Sequence, residues 1–274
     1  SAGVGRGLSG KTGSLWLEDC ELGVKLATPI IVREMVTGIL DFDSGSPLWA
    51  AVDRYREAGY SVSWRVRMAR RHGDATSRRR LFLVAIKSSC LREGATVEDF
   101  FVDEGTSDAE VTVEGCLDDE PEEGLLVPAD DVTPLPERDT ADYDGPRLVG
   151  TIGIGGMGWS VYDSAGPAVT QKTWGQGPGG ATAVYRDARG RFRRLSPWEA
   201  MRTHSFPEAY IQWLREDEAL DWESAYRLCG NSIPIGMLND VLAHVINDVI
   251  DPQVLKRAAA AFADQRAEST SARA

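Results

Sequence analysis

Eighteen aspartates and glutamates fall between residues 98 and 144 against a single basic residue, Arg138, and five prolines lie between 121 and 146. A stretch so charged and so interrupted has no continuous apolar face to bury, so it reads as a solvated insertion, and the core must come from the chain on either side. It also masks the balance of the rest. The 274 residues carry a formal net charge of −12, yet outside this segment basic residues outnumber acidic ones 29 to 24. Two arginine groups stand out: Arg65, Arg67, Arg70, Arg71, Arg78, Arg79 and Arg80, and then Arg186, Arg189, Arg191, Arg193 and Arg194. Either can face phosphates, so the acidic average does not exclude a nucleic-acid partner.

With 42% hydrophobic and 26% charged residues the chain is ordinary in composition for a folded protein. No apolar run approaches the roughly 20 residues of a membrane helix, and the opening SAGVGRGLSGKTG lacks a secretory pattern. The expectation is a cytoplasmic protein with no membrane partner. Cys20, Cys90, Cys116 and Cys229 are far apart without a CxxC pair, and His72, His204 and His244 show no ligand spacing with them. Neither a metal site nor a disulfide framework is expected.

Periodicity orders the elements. SLWLEDCELGVKLA has helical spacing, with Leu15, Cys20, Leu22 and Leu26 as apolar candidates, and ends near Pro29. PIIVRE reads as a buried strand with Arg33 and Glu34 at its carboxyl end, where α/β sheets place their ligand sites. Ser46 and Pro47 start a helix that Gly59 stops. YSVSWRVRMA alternates Val62, Trp64, Val66 and Met68 against Ser61, Ser63, Arg65 and Arg67, and LFLVAIK is a further strand. From about 88 to 190 short strands and Gly-rich turns suggest an irregular β-rich domain. Ser196-Pro197-Trp198-Glu199 spells a capping box, Pro207 opens a short helix, and PIGMLNDVLAHVINDVI sets Met237, Val241, Leu242, Val245 and Ile246 on one stripe. GIGGMG (153–158) could cradle a phosphate only if a helix came after it, and WSVYDSAGPAV does not read as one.

Four ordered segments carry a resemblance. RRLSPWEAMRTHSFP is similar to motif IX of the cytosine-5 DNA methyltransferases at Arg194, Leu195, Ser196, Glu199, Arg202, Phe206 and Pro207, with Ser205 where glycine is usual. AYRLCGNSIP resembles motif X at Tyr226, Gly230, Asn231, Ser232 and Pro234, with Leu228 replacing glutamine. SRRRLFLVAI resembles motif VIII, a Gln-x-Arg-x-Arg pattern before a strand, at Arg78 and Arg80, with Thr76 for the glutamine. PIIVREMVTGIL resembles motif VI, Glu-Asn-Val, at Glu34 and Val36, with Met35 for asparagine. VYDSAGPAVTQKTWGQGPGG looks like the end of the family's target-recognition domain, and SAGVGRGLSGKTGSLW resembles the stretch just after its catalytic ProCys motif.

The resemblance implies an α/β fold: the C-terminal part of a Rossmann-like class I methyltransferase sheet plus a small irregular β-rich target-recognition domain. The implied division is 1–87 catalytic, 88–190 recognition with the acidic insertion 98–144, 191–262 helices returning to the catalytic domain, and 263–274 a flexible tail. It implies S-adenosylmethionine as methyl donor and double-stranded DNA as partner. Glu34, Arg78 and Arg80 would be catalytic, Asn231 and Ser232 would bind the cofactor, and Arg186, Arg189, Arg191 and Arg193 would bind DNA. The ProCys and cofactor-loop motifs are not in the sequence. The expectation is one subunit of a split enzyme, inactive alone, with a second polypeptide supplying the cysteine and cofactor loop. A non-catalytic DNA-binding or regulatory remnant, and a fragment of a single-chain enzyme, are the alternatives.

Overall fold

The computed structural model describes residues 11–102, 111–136, 143–156, 158–173, 177–257 and 260. The glycine-rich opening, parts of the acidic insertion and the tail expected over 263–274 lie outside the described residues. Two compact units divide the chain: Ser1–Val66, Arg80–Asp103 and Asp240–Ala274 form one, Arg67–Arg79 and Glu104–Asn239 the other. The boundaries expected at 88 and 191 therefore differ from those observed. Residues 88–103 stay with the first unit because Leu91 bridges Ile250 and Arg92 N donates to Val249 O at 2.9 Å.

In the first unit, α1 (Lys11–Lys25) leads to β1 (Ile30–Met35), α2 (Ser46–Glu57), β2 (Tyr60–Met68) and β3 (Arg79–Lys87). The sheet order is β1-β3-β2, with β1 and β3 antiparallel from Ile30↔Ile86 to Met35↔Leu81. Leu81 to Ile86 are all buried, as the unbroken apolar run of a central strand demands. The outer edge of β1 pairs with no strand among the described residues. α2 begins with Pro47 in its first turn and buries Leu48, Ala51, Val52 and Tyr55, one helical stripe, against Ile31, Val62 and Leu83.

Two apolar stripes differ from the sequence reading. Along α1 the side packed on the core is Trp16, Cys20 and Val24, while Leu22 and the following Leu26 are exposed. The spacing i, i+4, i+8 through the one buried cysteine fixes the face, and Leu22 lies off it. Further on, α6 (Ile235–His244) runs into a π-type turn, Val245–Val249. The buried set is Met237, Val241, Val245 and Val249, and Ile246 is exposed.

The second unit is built on six short strands: β4 (Leu126–Val127), β5 (Val132–Pro134), β6 (Leu148–Ile152), β7 (Ser160–Asp163), β8 (Val184–Arg186) and β9 (Phe192–Arg194). Their order is β4-β9-β8-β7-β6-β5, and only the β7–β8 pair is parallel. GIGGMG closes the β6–β7 hairpin instead of opening a helix: Gly153, Gly155, Gly156 and Gly158 take positive φ, and Ile152 N donates to Trp159 O at 2.7 Å. Helices α3 (Pro197–Thr203), α4 (Glu208–Arg215) and α5 (Trp222–Asn231) pack Trp198, Met201, Ile211, Leu214 and Cys229 into one core with Val113 and Tyr185. That shared core is why 197–231 groups with this unit. The predicted capping box of α3 is present, Ser196 Oγ accepting from Glu199 N and Glu199 accepting from Ser196 N.

Candidate active site

Glu34 is the fifth residue of β1 and lies opposite Phe82 of β3. Arg80 stands two residues before Phe82, so both side chains emerge on one face of the sheet as diagonal neighbours, within reach of long side chains. Arg80 Nε lies 2.5 Å from Glu34 Oε1, with the arginine side chain 11% and the glutamate 20% exposed. Burial pushes the Arg80 pKa down and the Glu34 carboxylate pulls it back up. The result is a half-buried carboxylate beside a fixed cation. Arg33, the adjacent cation, is engaged elsewhere, donating to the Tyr55 hydroxyl at 2.9 Å and pairing with Asp19.

Arg78, also expected to be catalytic, is engaged by backbone oxygens. Only 3% exposed, it donates to Gln171 O at 3.3 Å and to Gly230 O at 2.9 Å, so it ties backbone segments of the second unit together. Asn231 closes α5 and Ser232 comes next; with Leu220, Ser224, Arg227 and Leu228 they line a cavity of about 440 Å³. The Ser232 hydroxyl donates to Cys229 O at 2.6 Å and lies 3.0 Å from His204 Nδ1.

Of the arginines expected to meet DNA, Arg193 is excluded from any surface: it forms an ion pair with Glu199 in which both side chains are 1% exposed. Arg191 is bound to Asp187 at 2.8 Å and to Glu120 at 2.9 Å. Arg189 meets Glu120 at 2.5 Å and Arg186 meets Asp163 at 2.7 Å, but these two keep 54% and 43% of their side-chain surface. The acidic segment is therefore more than solvated filler, since Asp118 and Glu122 also reach Arg202 and Arg215, at 2.8 and 3.0 Å.

All four cysteines are buried. Burial pushes the Cys116 thiol up to about 11 and that of Cys229 up to about 12, and raises Cys20 as well. Such thiols are not thiolate nucleophiles at neutral pH. No group of three or more candidate metal ligands occurs among the described residues, and no helix among them is long and apolar enough to cross a membrane.

Sequence reasoning missed Asp74 and His204, both fully buried. Asp74 accepts from the amides of Gly236 and Met237, a helix start 162 residues away, and no local spacing announces so distant a cap. His204 was legible only as a packing residue.

A family model for C-5 cytosine-specific DNA methylase matches residues 1–247. Type II methyltransferase M.HhaI of Haemophilus parahaemolyticus is 22% identical over 246 residues, 89% of this chain and 71% of its own length. Among solved structures, the S. pombe Dnmt2 methyltransferase is similar with a TM-score of 0.53 at 15% identity, over 80% of this chain and 63% of that one. A putative DNA modification methyltransferase encoded within an E. coli prophage gives 0.52 at 16%, over 87% and 75%. The fold is thus that of the Rossmann-like methyltransferases, and the chain spans about 63% of the length of the Dnmt2 protein. The family takes its methyl group from S-adenosylmethionine. On a match that covers most of its residues, this chain belongs to the C-5 cytosine-specific DNA methylase family.

Proposed function

We propose that the chain forms the base-holding and recognition part of a DNA (cytosine-5)-methyltransferase, and that a second polypeptide supplies the nucleophilic cysteine and the glycine-rich donor loop. The carrying observation is the Glu34–Arg80 pair. Attack of a thiolate at C6 of a flipped cytosine drives negative charge into the ring, toward N3 and O2. Glu34 holds a proton at N3, and Arg80 donates to O2 while fixing the carboxyl rotamer. Each contributes only as charge develops, which lowers the barrier without tightening ground-state binding.

Asn231 and Ser232 would hold the methyl donor. The donor supplies an electrophilic methyl group to C5. The fit rests on the cavity they line, where Leu220 and Leu228 offer an apolar wall and the amide and hydroxyl offer polar contacts. Three features favour a nucleophile and further strands supplied from outside this sequence. The four cysteines are buried, none of them after a proline; the outer edge of β1 is unpaired among the described residues; and Leu22, Leu26, Val36 and Trp49 are exposed in the same unit. DNA would be met by the β6–β7 hairpin, whose Ile154 is 100% exposed among glycines that leave the backbone bare. Arg186 and Arg189 would exchange their carboxylate partners for phosphates.

Glu34→Gln tests the reading in the assembly that transfers methyl groups. The expected result is a fall in kcat of about 10²- to 10⁴-fold, with duplex affinity retained. Equal loss of DNA binding and turnover removes Glu34 from the chemistry.

A further inference from the structure

Asn231, the last residue of α5, and Ser232 lie at the short turn that joins α5 to α6. Both ends of this turn are held by the connection between β2 and β3. The open first-turn amides of α6 need acceptors, and the preceding Ile233 and Pro234 have no side chain to offer. Asp74 supplies them: Oδ1 accepts from Gly236 N at 3.0 Å and Oδ2 from Met237 N at 2.9 Å. At the other end Arg78 donates to Gly230 O at 2.9 Å. His204 O accepts from Ile235 N at 2.9 Å between them, and the His204 ring faces Ser232.

The two glycines of the turn sit where no side chain fits. A Cβ on Gly230 would lie 2.5 Å from the carbonyl carbon of Lys172, and one on Gly236 2.5 Å from His72 O. Burying Asp74 completely pushes its pKa up, against the pull of Ser205 and the two amides. A cap with such a desolvation cost is spent on the one helix whose start fixes the turn.

We infer that Asp74 is a positioning residue for the methyl donor: by capping α6 from a distance it sets the shape of the turn that presents Asn231 and Ser232, while Arg78 fixes the opposite end. This rests on the donor-binding role proposed above for Asn231 and Ser232. Asp74 itself touches no substrate.

The test uses the methyl-transferring assembly carrying Asp74→Asn, Asp74→Ala or Asn231→Ala, with KM for S-adenosylmethionine, kcat, duplex affinity and amide exchange over 230–238 as readouts. Asp74→Asn should raise KM about tenfold, the ~1.4 kcal/mol equivalent of one weakened charge-assisted bond, with kcat held within about twofold. Duplex affinity should stay unchanged, and the Gly236 and Met237 amides should exchange faster. Should Asp74→Ala fail to fold, the nearly isosteric asparagine carries the test. Faster exchange with an unaltered KM overturns the proposal and leaves Asp74 a purely structural cap. A raised KM in Asn231→Ala but not in Asp74→Asn overturns it equally. An unaltered KM in Asn231→Ala instead overturns the donor assignment of the turn.

Discussion

Replacing Arg193 by methionine removes one member of a buried pair and leaves the other in place. Glu199 Oε1 accepts from Arg193 and from Asp118 N at 2.8 Å, and Oε2 accepts from Ser196 N at 2.8 Å. Arg193 also donates to Asp118 O at 3.1 Å. Without the guanidinium, a fully buried carboxylate keeps only two amide donors, and Asp118 O loses its bond from β9. Breaking a buried pair in this way costs about 3 to 5 kcal/mol, a large share of the ~5 to 15 kcal/mol that holds a domain together. Glu199→Gln keeps the side-chain shape but strands the buried Arg193 guanidinium and turns one acceptor into a donor, so a comparable loss of about 3 to 5 kcal/mol is expected. Urea unfolding followed by exchange of the buried α3 amides reads both. At slopes of ~2 to 3 kcal/mol per molar, Arg193→Met should lower the midpoint by about 1 to 2.5 M with an unchanged slope. A loss below ~1 kcal/mol in either variant would refute the argument that charge burial sets the cost.

The same geometry has other consequences. Gly230→Ala forces a methyl group against the Lys172 carbonyl and should cost about 1 to 3 kcal/mol in the same unfolding assay, whereas alanine at Gly190, which has open space around it, should cost mainly its positive-φ strain. Glu208 is held below its usual 4.5 chiefly by its bond to Arg202, and Asp187 ends below 3.8 because its bonds to Arg191 outweigh burial. Groups depressed in the fold bind protons less readily than in the unfolded chain. Their stabilisation is therefore complete above 4.5 and is lost as pH falls through the folded values, so acid unfolding should take up protons, as titration calorimetry can check. The four cysteines should resist maleimide at pH 7 until the fold opens; rapid native labelling of Cys116 or Cys229 would contradict the raised thiol pKa values.

The extent to which sequence revealed this protein tracks the range of the interactions involved. Local rules worked for the capping box at Ser196 and Glu199, Pro47 at the head of α2, and the unbroken strand β3, which are set by neighbours within a few residues; the alternation expected in β2 did not hold, since Ser63 and Arg67 are buried while Trp64, Val66 and Met68 are only partly so. Strand position and the resemblance singled out Glu34 and Arg80 separately; that pairing β1 with β3 brings them to one face is a finding of the structure. The failures were long-range. Arg78 and Arg80 are two residues apart in one motif, yet Arg78 serves backbone carbonyls 93 and 152 residues away. Arg191 and Arg193 looked like part of a phosphate surface because nothing local shows that Asp118 to Glu120 fold onto them. The stripe of α6 slipped at Ile246 because a π-type turn adds a residue to the repeat, an event hydrophobic spacing does not encode.

The most direct test of the central claim is covalent trapping. Duplex DNA bearing 5-fluorocytosine at the target position is incubated with S-adenosylmethionine and the active assembly purified from its native source. Fluorine cannot leave C5 as a proton does, so the adduct between cysteine sulfur and C6 persists and its site is read by peptide mass spectrometry. The account predicts an adduct on a cysteine outside this sequence, lost when Glu34 is replaced by alanine. An adduct on Cys20, Cys90, Cys116 or Cys229 would contradict it.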